Sequence, residues 1–473
     1  MQEKKEMSVV ETINPATGEK LASYTLISPE KAMEVARKAN DTYRNKWSVL
    51  TNSDRAAYLG SIAKSLRSKK AEYAKIITQE MGKPIVQSEN EIEKCVWTAE
   101  ELAKNAEDWL KDDPAQTDAK KAYVTFKPLG VILGVMPWNF PFWQALRAAM
   151  PAMLAGNTFI LRHSNMCPAS ALAIEESIVN AGFPDGVFHT IISGHKTIAQ
   201  LIESDIIRGV SFTGGVEAGK SIANLAGKNL KKFVLELGGS DPFIVLEDAN
   251  VREAARIGAV GRLLNSGQSC DKPKRFIVVK NNAEEFTRRF VEEIQNRKVG
   301  DPMERTTDVG PLVNKESVEK IDCQVKDALS KGAKALLRGG PRSGKGSFYD
   351  PTVLSNVDKS MRVMNEEVFG PAAPICIVEN EAEALRIAND TDYGLGASIW
   401  TENLEKAESI ANKIESGTVF VNCQMHSDPR LPFGGVKNSG IGRELSRYGL
   451  KEFVNVKAIQ IFASDSQGVR LCI

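Results

Sequence analysis

Gly209-Val210-Ser211-Phe212-Thr213-Gly214-Gly215-Val216-Glu217-Ala218-Gly219 combines a short apolar run, a glycine turn and the opening of a helix. The first N–H groups of such a helix are free to receive a pyrophosphate. Most glycine-rich turns bind nothing, so the string alone fixes a strand–turn–helix unit and no ligand. The flanking sequence repeats that unit. Val131-Ile132-Leu133, Thr158-Phe159-Ile160-Leu161, Val187-Phe188 and Phe233-Val234-Leu235 are candidate strands, with helical texture over 143–154, 169–180, 197–202 and 217–226. Strands alternating with helices predict a parallel, doubly wound sheet. A second series starts at Pro242-Phe243-Ile244-Val245 and runs past Val419-Phe420-Val421, so two α/β layers meet near residue 237.

The first hundred residues read as helical. Ser28 is an N-cap followed by Pro29 at the first helical position, opening Ala32, Met33, Val35, Ala36 and Ala39 at helical spacing. A second helix starts near Ser53-Asp54, carries Leu59, Ile62, Ala63, Leu66, Tyr73, Ile76 and Ile77 on one face, and stops at Gly82-Lys83-Pro84.

At 473 residues the chain exceeds one ordinary core, so at least two domains are expected. With 61 basic against 60 acidic residues it offers no global electrostatic case for nucleic acid or an anionic membrane. The charged start, Met1-Gln2-Glu3-Lys4-Lys5-Glu6-Met7, lacks the apolar core of a signal peptide. No apolar run approaches the roughly 18 residues that span a bilayer. A cytoplasmic protein is expected. Its seven cysteines are scattered and never form a CxxC pair, which argues against disulfides and a zinc cage. The four histidines (163, 189, 195, 426) have no i, i+4 spacing, so no metal site is expected.

Cys270 differs from the other cysteines because its neighbours, in Asn265-Ser266-Gly267-Gln268-Ser269-Cys270-Asp271, are polar. Glu236 lies upstream in Leu235-Glu236-Leu237-Gly238-Gly239, where a strand-like run gives way to glycines. A thiol can add to a carbonyl, and a positioned carboxylate can later activate water against the resulting thioester. Asn139, in Pro137-Trp138-Asn139-Phe140-Pro141, carries an amide able to donate to the oxyanion formed in between. Taken singly, each has a plainer reading: a buried small hydrophobe, a strand-end ion pair and an Asx-turn.

Together the three strings resemble the aldehyde dehydrogenase superfamily. The similarity runs from Asn14-Pro15-Ala16-Thr17-Gly18 to Pro432-Phe433-Gly434-Gly435-Val436-Lys437-Asn438-Ser439-Gly440-Ile441-Gly442-Arg443-Glu444, nearly the whole chain. Pro137 to Gln144 and Leu235 to Pro242 look most like the succinate-semialdehyde-dehydrogenase-like members. The resemblance implies two Rossmann-like, doubly wound α/β domains with a small β oligomerisation flap. It places NAD(P) on 1–119 and 129–237, catalysis on 238–445, and the flap on 120–128 and 446–473. It implies Cys270 as nucleophile, Glu236 as the base for hydrolysis and Asn139 as oxyanion donor. Cofactor contacts are implied for Trp138, Arg162, Ser164, Asn165, Phe212, Thr213, Gly214, Gly215 and Leu237. In Glu367-Val368-Phe369-Gly370-Pro371, Glu367 would grip the nicotinamide ribose and Phe369 would lie beside the ring. A homodimer or homotetramer is implied as well.

Departures from the family pattern bear on cofactor and substrate. Where members commonly have Lys-Pro-x-Glu, this chain has Arg162-His163-Ser164-Asn165. Neutral Asn165 beside Arg162 relaxes the repulsion of a 2′-phosphate, so NADP is expected to be tolerated alongside NAD. Gly215 stands where Ser is usual. Arg147 and Ser427 match residues that grip a substrate carboxylate, whereas Leu264 replaces a second arginine found in some members. Asp271, directly after the nucleophile, would repel an anionic substrate and raise the Cys270 pKa if it faced inward. A semialdehyde oxidiser is therefore expected. Open alternatives are a broad aliphatic or aromatic aldehyde dehydrogenase, a cysteine hydrolase without cofactor, and a non-catalytic binder with the same fold.

Overall fold

The computed structural model describes residues 9–463. Two parallel sheets carry the architecture. The first runs Gly440–Ile441, Lys232–Glu236, Ile207–Thr213, Val131–Met136, Thr158–His163, Phe188–Ile191. The second runs Lys334–Leu337, Thr352–Ser355, Ala372–Val378, Arg275–Val279, Pro242–Val245, Gly396–Trp400, Thr418–Val421. Only the first-named edge strand of each sheet pairs antiparallel. Val131–Met136 and Thr158–His163 are buried at every residue, as a parallel sheet covered on both faces demands.

Strand order decides where a ligand can enter. In the first sheet the chain starts in the middle at Val131–Met136, winds out one way through Thr158–His163, and returns to the other side at Ile207–Thr213. Val131–Met136 and Ile207–Thr213 thus flank the topological switch point, where a crevice opens beyond the strand ends. Pro137-Trp138-Asn139 follows one strand and Gly214-Gly215 the other. The strand Gly440–Ile441 crosses from the far end of the sequence to pair with Lys232–Glu236, Gly440 opposite Glu236, and stitches the two halves together at the seam.

Three features depart from the sequence reading. The N-terminal region is not wholly helical: Val9–Ile13 and Lys20–Thr25 form an antiparallel hairpin. Its turn, Asn14 to Gly18, is closed by Gly18 N–H on Asn14 O at 2.8 Å, with Gly18 at φ +75°. The second helix is two, Asn52–Ser68 and Lys70–Met81, separated at Lys69 (φ −114°, ψ 17°). Its apolar spacing persists across the break, which is why the sequence conceals it. Thr51 and Asp54 close a reciprocal capping box on the first of the two.

The expected flap also shifts at its borders. Val454–Ile461 pairs along its full length with Lys121–Pro128, and Asp113–Pro114 joins as a third strand. Ser446–Leu450, expected in the flap, is a helix against Ile85–Leu110 and Pro141–Leu154 of the body. Residues 464–473 of that segment lie outside the described residues. Buried Asn157 fixes the flap's root: its Oδ1 accepts from Leu129 and Gly130 N–H at 2.8 and 3.0 Å, and its Nδ2 donates to Phe453 O at 3.0 Å.

Candidate active site

The Cys270 loop is held in a backbone shape that few sequences adopt. Helix Val251–Leu263 runs into Asn265, Ser266 and Gly267 at φ 52°, 55° and 77°, three successive left-handed residues. A Cβ on Gly267 would lie 2.3 Å from Gly370 O, so only glycine fits. Non-glycine residues in this region cost on the order of 1 kcal/mol each and need support from their surroundings. Asn265 Nδ2 donates to Asn139 O at 2.8 Å and Gln268 O at 3.0 Å; Ser266 Oγ donates to Gly310 O at 2.9 Å. The buried Arg262 guanidinium gathers Gly267 O, Gly370 O and Pro273 O at 2.7, 2.9 and 2.7 Å. One cation thus ties the Cys270 loop to the Glu367–Gly370 segment.

Burial pushes the Cys270 thiol up from its ordinary value, and the Asp271 carboxylate raises it further, against Lys274 and Arg147. Lys274 Nζ donates to Cys270 O at 2.6 Å. Asn139 Nδ2 reaches Gln268 O at 3.3 Å, so one of its two N–H donors points at the Cys270 loop and the other remains available.

Glu236 ends its strand 1% exposed, and neither carboxylate oxygen has a hydrogen-bond partner. Burial lifts its pKa well above the usual carboxylate range; Glu444 adds to the rise, while Arg147 and Arg443 oppose it. Oε1 lies where a Cβ on Gly434 would be only 2.7 Å away, so the absence of a side chain there makes room for it. An unpartnered buried carboxyl costs free energy and is a candidate for proton transfer.

Two cavities meet at Cys270. The first, about 830 Å³, is lined by Trp138, Asn139, Thr213, Gly214, Gly215, Leu237, Glu367 and Phe369 among others. Gly215 caps helix Val216–Lys228 without a side-chain bond, and nothing lies within 4 Å of where its Cβ would be. Thr213 Oγ1 is buried without a partner. Glu367 Oε1 accepts from Gly239 N–H at 3.1 Å, and Trp138 and Phe369 meet edge to face at 5.9 Å. An open helix N-terminus, an aromatic pair and a carboxylate along one cleft fit a nicotinamide dinucleotide.

The remaining expected cofactor residues stand off this cleft. Phe212 packs beneath Gly214, where a Cβ would be 2.6 Å from its ring. Arg162, Ser164 and Asn165 lie at and just beyond the end of the neighbouring strand Thr158–His163. Arg162 Nε and Nη2 donate to Ser193 O at 3.2 and 3.0 Å, and Nη2 reaches Asn165 Oδ1 at 3.4 Å. The intervening His163 points inward, donates from Nε2 to Pro141 O at 2.9 Å, and is driven by burial to a pKa of about 4.

The second cavity, about 790 Å³, lies on the other side of Cys270 and Gln144. Phe140, Trp143, Arg147, Leu264, Asp271, Lys272, His426 and Ser427 line it, together with Lys94, which the sequence reading missed. Asp271 does face inward. Its carboxyl is nevertheless held near pKa 2, because Lys272 and Lys94 outweigh the effect of burial. Arg147, 1% exposed, forms an ion pair through Nε with Glu444. Among the described residues no group of His, Cys, Asp and Glu is arranged to hold a metal, and no helix is long and apolar enough to cross a membrane.

This arrangement and the sequence agree on a class: the chain belongs to the aldehyde dehydrogenase family, whose sequence model matches residues 1–459. A probable NADP(+) succinate-semialdehyde dehydrogenase from Synechocystis sp. is 43% identical over 96% of this chain and 99% of its own length. The NAD(P)+ succinate semialdehyde dehydrogenase of Escherichia coli is 40% identical over 95% and 97%. A Streptococcus pyogenes succinic semialdehyde dehydrogenase, solved with NADP+, superposes with a TM-score of 0.93 at 37% identity, covering 96% of this chain and 100% of its own.

Proposed function

We propose that this protein oxidises succinate semialdehyde, or a similar short carboxylated semialdehyde, to the acid with NADP, NAD being the alternative acceptor. The observation that carries the reading is the place of Cys270: among the described residues it is the one thiol that lines both the cationic chamber and the cleft that fits a dinucleotide. The named activities of the relatives and neutral Asn165 beside Arg162 support substrate and cofactor.

When bound, the dinucleotide supplies the hydride acceptor. Cys270 Sγ adds to the aldehyde carbon, and the free Asn139 N–H donates to the resulting oxyanion. After oxidation the acyl group remains on Cys270 as a thioester. Glu236 then takes a proton from water, whose oxygen adds to the acyl carbon; collapse releases the carboxylic acid and returns the thiol. Glu236 must be ionised at that moment, so its neighbours Arg147 and Arg443 matter as counter-charges.

A broad aldehyde oxidiser is the second reading, favoured by Leu264 and inward Asp271 in the chamber. Initial rates with succinate semialdehyde, hexanal and benzaldehyde, each with NAD and NADP, separate the two. A lead of at least ~10-fold in kcat/KM for succinate semialdehyde, about 1.4 kcal/mol, supports the first. Neutral aldehydes that match or exceed it support the second. A cytoplasmic homodimer or homotetramer completes the proposal, with the edge of the Lys121–Pro128 and Val454–Ile461 flap as the assembling surface; light scattering of the purified protein tests it.

A further inference from the structure

The substrate chamber holds three cations, and two of them are already matched by carboxylates. Arg147 is paired with Glu444, and its guanidinium lies over the Phe433 ring at 4.5 Å. Lys272 Nζ donates to Met425 O at 2.7 Å and lies 3.6 Å from Asp271 Oδ2. Lys94 is different. Among the described residues no carboxylate is within ion-pairing distance of its ammonium, which donates to Ser427 Oγ at 2.5 Å and lies 4.3 Å from the Trp143 ring centroid.

The helix that carries Lys94 shows why it is free. Gln87, Asn90, Glu91 and Lys94 form one stripe of Ile85–Leu110 facing the chamber. Gln87 Oε1 is occupied by Asn265 N–H at 2.8 Å. Glu91 is occupied twice: Oε1 accepts from Phe142 and Trp143 N–H at 2.9 and 3.0 Å, and Oε2 pairs with buried Lys83. Lys94 is thus the charged member of the stripe with no structural partner of opposite sign. An ammonium has three donors, of which one is spent on Ser427. Ser427, 2% exposed, accepts that bond and keeps its own O–H to give. Two N–H groups and one O–H therefore converge in the chamber, a donor set matched to a carboxylate.

We propose that Lys94, with Ser427 beside it, holds the carboxylate end of the substrate, while Arg147 serves Glu444 and the wall behind it. This rests on the semialdehyde reading and deepens it: the negative charge that Asp271 would repel is met by an ammonium that makes no direct ion pair with Asp271, whose contact is Lys272.

The test is the ratio of kcat/KM for succinate semialdehyde to that for butanal, which has the same carbon chain without the carboxylate. In Lys94→Met the ratio should fall at least about 30-fold, as expected for loss of a charged hydrogen bond, and the fall should lie mainly in KM. Lys94→Arg should recover part of it, and Arg147→Lys should lower both aldehydes together and leave the ratio within about 3-fold. Direct calorimetry with succinate should show the same loss of affinity in Lys94→Met. If that variant does not fold, Ser427→Ala reads the same contact, with an expected fall of about 5-fold. A wild-type preference that survives Lys94→Met and is lost in Arg147→Lys would overturn the assignment to Lys94 and keep the semialdehyde reading. No preference in the wild type would remove the semialdehyde reading, and this inference with it.

Discussion

The two chambers that share Cys270 are made of different material. On the cofactor side much of the lining is backbone and small residues at strand ends, Thr213, Gly214 and Gly215 at one strand and Leu237 and Gly238 after the next, with Trp138, Glu367 and Phe369 beside them. On the substrate side they are side chains, most of them charged, from four separate segments: Lys94, Arg147, Asp271 with Lys272, and the hydroxyl of Ser427. A glycine needed for close approach leaves its mark at one position of the sequence. A charge chamber exists only once distant segments are folded together, so no single string announces it. Binding of a cofactor common to many enzymes can rest on the first kind of surface, whereas selection of one aldehyde must rest on the second.

The largest expected effect falls where the chambers join. Cys270→Ala should lower aldehyde oxidation at least about 10⁴-fold, with NADP affinity by fluorescence titration near that of the wild type; appreciable residual oxidation would mean that the junction is not the reacting centre. Next comes Asn139→Ala, for which the loss of an oxyanion donor predicts about a 10²- to 10³-fold fall in kcat for charged and neutral aldehydes alike. A fall confined to one substrate would assign Asn139 to the specificity chamber instead.

Two smaller effects probe the charged side. Burial lowers the Lys94 ammonium to about 8; Asp271 and Cys95 act to raise it, Lys272 and Arg147 to lower it. Lys94 is therefore charged below that pH and loses its charge as pH rises through it. The kcat/KM ratio of succinate semialdehyde to butanal should accordingly fall about 10-fold from pH 7 to 9. Taking the ratio cancels thiol ionisation, which is common to both aldehydes. A flat ratio would show that the charge read by the substrate is not that of Lys94. Smallest is the effect of Asp271 on the nucleophile. Its carboxylate raises the Cys270 pKa, so Asp271→Asn should lower that pKa and speed iodoacetamide alkylation at pH 8. Unchanged alkylation would mean that burial alone sets the thiol.

How much could be read from the sequence follows the same division. The alternation of strands and helices, the glycine turn after Phe212 and the strings around Cys270 and Glu236 are contiguous, and the parallel sheets follow from them. The Asn14 to Gly18 turn was equally contiguous, yet the short strands flanking it are half exposed and lack the apolar run that marked the inner strands. The break at Lys69 leaves the apolar period intact. In the Cys270 loop, Gly267 is legible as a special position, but the left-handed Asn265 and Ser266 depend on Arg262, Gly310 and Asn139 from elsewhere. Lys94 is one lysine among 61 basic residues, and only the folded chamber distinguishes it. Arg147 did carry a signal in sequence: a lone charge in an otherwise apolar helix, Pro141–Leu154, must find a buried counter-ion, here Glu444.

The central claim is that Cys270 carries the acyl group and Glu236 releases it with water. Its most direct test is intact-protein and peptide mass spectrometry of Glu236→Gln after mixing with succinate semialdehyde and NADP. A burst of NADPH and an adduct of the substrate's acyl mass on the Cys270 peptide, absent in Cys270→Ala, are expected. Steady-state turnover as fast as the wild type, with no adduct on Cys270, would contradict it.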